Sequence, residues 1–184
     1  MPTRDLVRIA LFAAIIAALG LVPKFDLPVA GGVPVTAQSM GVMLAGIFLG
    51  ARKGALAVAL FLLCVAVGMP LLSGGRGGLA PFFGPGGGFI IGFVPAAFAV
   101  GFVLHQLRDL PLLPAAFIAA VIGGIFVDYA FGIPYLAWKA NMSLAQAAFG
   151  SALFILGDLL KAVIAGLVAQ SAYRSVPGAI DGRA

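Results

Sequence analysis

The sequence contains no glutamate, and it has one cysteine, one histidine and one tryptophan in 184 residues. Each shortage excludes something. A single Cys64 forbids an intramolecular disulfide, and inside an apolar run it reads as a small packing residue. His105 has no cysteine or acidic cluster near it, so it makes no metal site. No Lys-Ser or Lys-Thr follows a glycine run, which excludes a phosphate loop. There is no Ser-His-acid set and no activated nucleophile beside a base. Neither an enzyme nor a bound cofactor is expected. Charged residues are scarce at 9%, whereas 62% of the chain is hydrophobic. With a mean hydropathy of +1.17, this composition is that of a polytopic membrane protein. The formal charge of +5 comes from basic residues scattered at segment ends, with no basic run carrying interleaved aromatics. It points to orientation in a bilayer rather than to a nucleic-acid partner.

What is present is a series of apolar segments: residues 6–22, 36–51, 54–72, 89–107, 112–134 and a last run over 147–172. They predict an all-α fold, a single domain over residues 1–184 with six transmembrane helices and short connections. The first segment resembles a signal peptide, but five more follow, so it reads as a first helix. Arg52-Lys53 is expected to be the tight turn between the second and third spans. Six spans put Arg4, Arg8, Arg52, Lys53, Arg108, Arg174 and Arg183 on one side and Lys24, Arg76 and Lys139 on the other. The excess of Lys and Arg marks the inner side, so both termini are expected to be cytoplasmic. The protein is then a multi-pass resident of the cell's inner (plasma) membrane.

Two irregular stretches fall on the outer side. Residues 23–34 hold Lys24, Asp26, Pro28 and Gly31-Gly32 and read as an extended loop leading to Thr36 and Gln38 at the mouth of the second span. Residues 73–88 are rich in glycine, with Arg76 their only charge. Exposed backbone of that kind is tolerated at a membrane only where it lines a cavity or is buried in protein. The stretch reads as a lid or wall over a small-molecule site, or as a plain connector. The first segment carries Ala10, Ala14 and Ala18 at a spacing of four, a flat face that permits close helix approach. Spacing alone leaves open whether that face packs internally or docks another membrane protein.

The last apolar run contains Asp158 and Lys161. One charge at membrane depth costs about 2.5–3.5 kcal/mol on insertion scales. Residues three apart share a helix face, so the two neutralise each other and still aim at a third group. Ser151 and Phe154 continue that face. Asp128, in the fifth span, is either a second buried acid or a snorkelling one. Tyr135 and Trp138 resemble an interfacial belt. An outward-facing pocket follows, lined by Gln38, the Gly-rich backbone, Asp128, Asp158 and Lys161, with Phe82, Phe83, Phe89, Phe154 and Trp138 nearby. Its ligand should be small, partly apolar, and carry N–H donors together with a carbonyl or carboxylate. A competing reading makes the ion pair mere glue in an intramembrane scaffold without a ligand.

Four motifs occur in order: Val33-Pro34-Val35-Thr36-Ala37-Gln38, Gly74-Gly75-Arg76-Gly77-Gly78, Gly84-Pro85-Gly86-Gly87-Gly88-Phe89-Ile90-Ile91-Gly92-Phe93 and Gly157-Asp158-Leu159-Leu160-Lys161-Ala162. Together they resemble the BioY family, the biotin-specific S components of energy-coupling factor vitamin transporters. The resemblance covers nearly the whole chain and implies a six-helix bundle that takes biotin up near its outer face. It further implies a transmembrane T component, docking on Ala10, Ala14 and Ala18, and two cytoplasmic ATPases acting through it. Carried over by motif, Asp158 and Lys161 are the leading ligand contacts. Gln38, Arg76, Gly75 and Gly77 stand behind them, with Asp128 and Phe154 completing the expected site. Where the family often has Pro-Thr-Gly-Gly-Tyr, this chain has Pro85-Gly86-Gly87-Gly88-Phe89, so no hydroxyl contact is expected from Gly86 or Phe89. An S component for another small vitamin is the alternative within the same class.

Overall fold

The computed structural model describes residues 1–26, 33–176 and 178–181. Pro28, Gly31-Gly32 and Arg183 lie outside the described residues. The chain is mostly helical, and four helical runs are long and apolar enough to cross a membrane: Gln38–Ala66, Gly87–Gln106, Leu112–Lys139 and Leu144–Ser175. The elements run α1 (Thr3–Leu19), β1 (Phe25–Asp26), β2 (Pro34–Val35), α2 (Gln38–Ala66), α3 (Ala80–Phe83), α4 (Gly87–Gln106), α5 (Leu112–Val121), a π-helical stretch (Ile122–Val127), α6 (Asp128–Lys139) and α7 (Leu144–Ser175). The small antiparallel β1–β2 ladder pairs Phe25 with Val35 and Asp26 with Pro34, an addition to the expected all-α fold.

Local chemistry explains the ends. Asp5 in the first turn of α1 complements the helix dipole. Ser143 and Gln146 form a reciprocal capping box that starts α7. The run named α2 is not straight. Gly50 has φ 75° and ψ 179°, outside any helix. Beyond it the chain doubles back: a Cβ on Gly54 would stand 2.8 Å from the carbonyl oxygen of Ala45, nine residues earlier. At the other end, Gln38 Nε2 donates to the Leu71 carbonyl at 3.0 Å, so both ends of the run lie at one level. The turn is therefore made by Gly50, not by Arg52-Lys53, because a left-handed φ suits glycine and no side chain.

α2 and α4 form the centre. α1 packs on α2; α4 also meets α5, the π-helical stretch and α6; α7 lies against α5, α2 and α6. Helices in lipid gain little from the hydrophobic effect and associate through close packing of small residues. The contacts here follow that rule. A Cβ on Gly101 would fall 2.2 Å from the Ala51 nitrogen, and one on Gly123 would fall 2.5 Å from the Val100 nitrogen. Of α1, Ile9, Phe12, Ala13 and Ile16 face inward. Ala10, Ala14 and Ala18 are exposed, so this stripe is not spent on packing within the chain.

The end of the bundle holding the N-terminus is tied by charges. Arg8 forms an ion pair with Asp181 and donates to the carbonyls of Phe48 and Ala179 at 3.1 and 2.7 Å. Lys53 bridges Asp5 at 2.9 Å and Asp181 at 2.7 Å. Ile180 is fully buried beneath this knot.

Candidate functional site

The site grows from α7. Asp158 and Lys161 lie on its inner face, and Lys161 Nζ donates to Asp158 Oδ1 at 2.9 Å. Two further residues complete the cluster. Ser39, in the first turn of α2, donates to Asp158 Oδ1 at 3.3 Å and accepts from Lys161 at 3.0 Å. Tyr129 of α6 donates to Asp158 Oδ2 at 2.6 Å. A carboxylate offers about four lone-pair positions. Asp158 has three of them filled from within the protein. Its ring neighbour Tyr129 stands edge-on to Phe89, with centroids 5.6 Å apart at 90°.

Asp128 is handled differently. It follows directly on the π-helical stretch, which the Gly123-Gly124 pair sets closely against α4 and α2. Such bulges recur at functional sites. Asp128 is 4% exposed, which settles it as a buried acid rather than a snorkelling one. Among the described residues its Oδ1 has no hydrogen-bond partner. Gly92 makes room for it, since a Cβ there would stand 2.5 Å from that oxygen.

These groups line the inner one of three neighbouring spaces that share lining residues. The inner lobe, about 60 Å³, is walled by Asp128, Asp158, Lys161, Ser39, Tyr129 and Phe154. A middle lobe, also about 60 Å³, contains Gln38, Leu72 and Arg76 and shares Val33, Pro34, Thr36, Phe89 and Phe93 with the inner one. An outer cleft of about 500 Å³ is lined by Gly75, Arg76, Gly77 and the 80–86 segment. The expected site residues are thus divided among these neighbouring spaces, with Arg76 lining the outer two.

Gln38 is consumed structurally. Its Nε2 donates to the carbonyls of Ile16 and Leu71, and its Oε1 accepts from Ser73 N at 3.0 Å and from the Ser73 hydroxyl. It pins α1, α2 and the Gly-rich loop together. That loop is an ordered hairpin: Leu72 and Arg76 exchange backbone hydrogen bonds, and Arg76 Nε donates to the Ser73 carbonyl at 3.1 Å. Gly74, Gly75 and Gly78 have positive φ. Gly77 does not, but a Cβ there would meet the Met69 oxygen at 2.3 Å. Tyr135 donates to the Phe82 carbonyl at 2.8 Å and Trp138 is exposed under Lys139. Neither they nor Phe83 line the inner spaces. Ser151 is buried outside the inner lobe, and its hydroxyl has no partner among the described residues. Among the described residues, no group of three potential ligands could hold a metal.

A multi-pass helical bundle with a buried acid–base cluster lining an internal space is the architecture of a membrane protein that recognises a small molecule. Comparison with known proteins narrows the class. The BioY family profile matches residues 1–178, and the chain belongs to the BioY family. It is 52% identical over 182 residues to the biotin transporter BioY of Rhizobium etli, covering 96% of this chain and 97% of that protein. It is 48% identical to the biotin transporter BioY of Rhodobacter capsulatus, covering 98% of both chains. Its structure is similar to the crystal structure of the S-component for biotin from an ECF-type ABC transporter, with a TM-score of 0.88, 29% identity and 95% of each chain covered.

Proposed function

We propose that this protein takes up biotin as the substrate-binding S component of an ECF-type transporter, working with a transmembrane T component and ATPases. It is a binding and transport subunit, not an enzyme. The observation that carries the reading is the buried Asp158–Lys161 pair, held by Ser39 and Tyr129 in the wall of the inner lobe. Charges so deep in a helical bundle mark a substrate position. Biotin has a polar cyclic urea at one end and a carboxylate on an apolar chain at the other. The inner lobe suits the urea, the Phe89, Phe93 and Phe154 rings suit the apolar middle, and Arg76 at the outer cleft suits the carboxylate. Each inner lobe is well below the roughly 300 Å³ of a small-ligand pocket. Binding therefore merges them by displacing the wall of Val33, Pro34 and Phe89.

Counting the two arms of α2 separately, six helical passes cross the inner membrane. The ion knot of Asp5, Arg8, Lys53 and Asp181 then lies on the cytoplasmic side with both termini, and the Gly-rich hairpin faces outward. The exposed Ala10, Ala14 and Ala18 stripe is the docking face for the T component. Isothermal titration of the purified protein with biotin, thiamine and riboflavin tests the reading. Biotin alone should bind. Equal binding of the three, or of none, refutes it and leaves a scaffold.

A further inference from the structure

A larger space, about 750 Å³, opens at the end of the bundle that holds the N-terminus, and it shares no residue with the inner lobe. α1 and α7 both pack on α2 but not closely on each other, which leaves a trough between them. α1 contributes Leu11 and Ile15 to it, α2 contributes Leu44 and Phe48, and α7 contributes Val168. Apart from Arg4 and Arg8, no lining residue is polar. Leu11 and Val168 are exposed, so no described residue covers the trough. The two arginines differ. Arg8 is engaged by Asp181 and by two backbone carbonyls. Arg4 is exposed and has no hydrogen bond or ion pair among the described residues. Its neighbour Asp5 is taken by Lys53, so the charge of Arg4 stays uncompensated. Length adds a second constraint. From Arg4 to Ile15 the helix rises about 16 Å, roughly half of a ~30 Å hydrocarbon core. The trough therefore runs from the charged end of the bundle to about the depth of one leaflet.

We infer that this trough holds one anionic glycerophospholipid of the surrounding leaflet, its phosphate paired with Arg4 and an acyl chain lying between α1 and α7 against Phe48. The order of charge and apolar surface along the trough is that of such a lipid, with a cation at the water boundary and a hydrocarbon wall beneath it. A guanidinium pairs with a phosphate through two parallel N–H bonds. A zwitterionic lipid carries its own cation and gains less from Arg4. Ala10, Ala14 and Ala18 do not line the trough, so the lipid leaves that stripe of α1 open.

The test uses the full chain, stripped of lipid in mild detergent and titrated with dioleoyl phosphatidylglycerol or dioleoyl phosphatidylcholine. Native mass spectrometry counts the adducts and thermal melts follow the stabilisation. One phosphatidylglycerol should be retained about fivefold more tightly than phosphatidylcholine, the factor for one basic residue at a membrane surface. That preference should fade as salt is raised. Arg4→Gln should make the two lipids bind alike. Val168→Trp, which fills the trough from an exposed position on α7, should lose both adducts. Equal retention of the two lipids by the unaltered protein, or an undiminished preference in Arg4→Gln, overturns the headgroup contact. Unchanged adducts in Val168→Trp place the lipid elsewhere and overturn the site. Inorganic phosphate that raises the melting temperature as much as phosphatidylglycerol would make Arg4 a free-anion site and overturn it too. So would a lipid-free dimer that Val168→Trp splits, or loss of the lipid on adding the T component, since the occupant would then be protein.

Discussion

Replacing Lys161 by methionine separates a ligand site from helix glue. The change keeps a long side chain in α7 but removes the ammonium, and with it the 2.9 and 3.0 Å bonds to Asp158 and Ser39. The side chains of Lys161 and Asp158 are 16% and 9% exposed, so the pair is largely withdrawn from water. Breaking a buried pair by removing one partner costs about 3–5 kcal/mol. Here Tyr129 and Ser39 still serve Asp158, so the lower end is expected, about 3 kcal/mol. Biotin should in addition lose one charge-assisted hydrogen bond, about 1.5–3 kcal/mol, or roughly ten- to 150-fold in Kd. Asp158→Leu added to Lys161→Met removes both charges together, and isosteric apolar replacement of a buried pair is close to neutral for stability. The double variant should therefore regain its melting temperature and still bind biotin weakly. Melts in detergent and calorimetric titration give both quantities on one sample. Recovery of biotin affinity in the double variant would refute the argument, since the pair would then only hold helices together.

Other expectations follow from separate parts of the molecule. Ala14→Leu, alone or with Ala10→Leu, should abolish biotin uptake in cells supplied with the T component while the isolated protein keeps its affinity; loss of both would mean that the α1 stripe packs internally. Gly77→Ala should disturb the outer hairpin more than Gly75→Ala, because the first meets the Met69 oxygen at 2.3 Å and the second meets only a positive φ costing about 1–2 kcal/mol. Stopped-flow association and dissociation of biotin should slow for Gly77→Ala, and equal rates for all three proteins would reduce the hairpin to a connector. Burial raises the Asp181 carboxyl, but hydrogen bonds from Lys53 and Arg8 outweigh it and hold the group below the usual carboxylate range. Its contribution is full above the unfolded value of about 3.9 and disappears as pH falls through the lower folded value. Melting temperature should drop across that acid window, and Asp181→Asn should flatten the drop.

Sequence reasoning reached what sits close together along the chain. The i,i+3 pair in α7 was legible because helical spacing alone brings it to one face. Ser39 and Tyr129 were not, since they lie 119 and 29 residues from Asp158 and no periodic pattern links them. Their signal was weak: a serine beside Gln38 and a tyrosine beside Asp128. Gln38 was located at the mouth of the second span, but only three-dimensional proximity revealed that Ile16, Leu71 and Ser73 use its amide. The reversal at Gly50 was assigned two residues late because charges usually mark a turn at a membrane surface. Here Lys53 is instead recruited into a salt-bridge knot, and one backbone angle does the turning. The π-helical stretch, which contains Gly123 and Gly124, left no mark in the hydrophobic pattern of the fifth span.

The knot also has a place in time. Arg8 and Asp181 are separated by 173 residues. At synthesis rates of about 5–20 residues per second, Arg8 is made roughly 10–35 s before its partner exists. The helices up to α7 must therefore be made with that end of the bundle unsealed, and the seal forms only once the segment after α7 has been synthesised. Defects in the tail would then act late, on a protein already in the membrane, and would register as poor persistence rather than poor insertion.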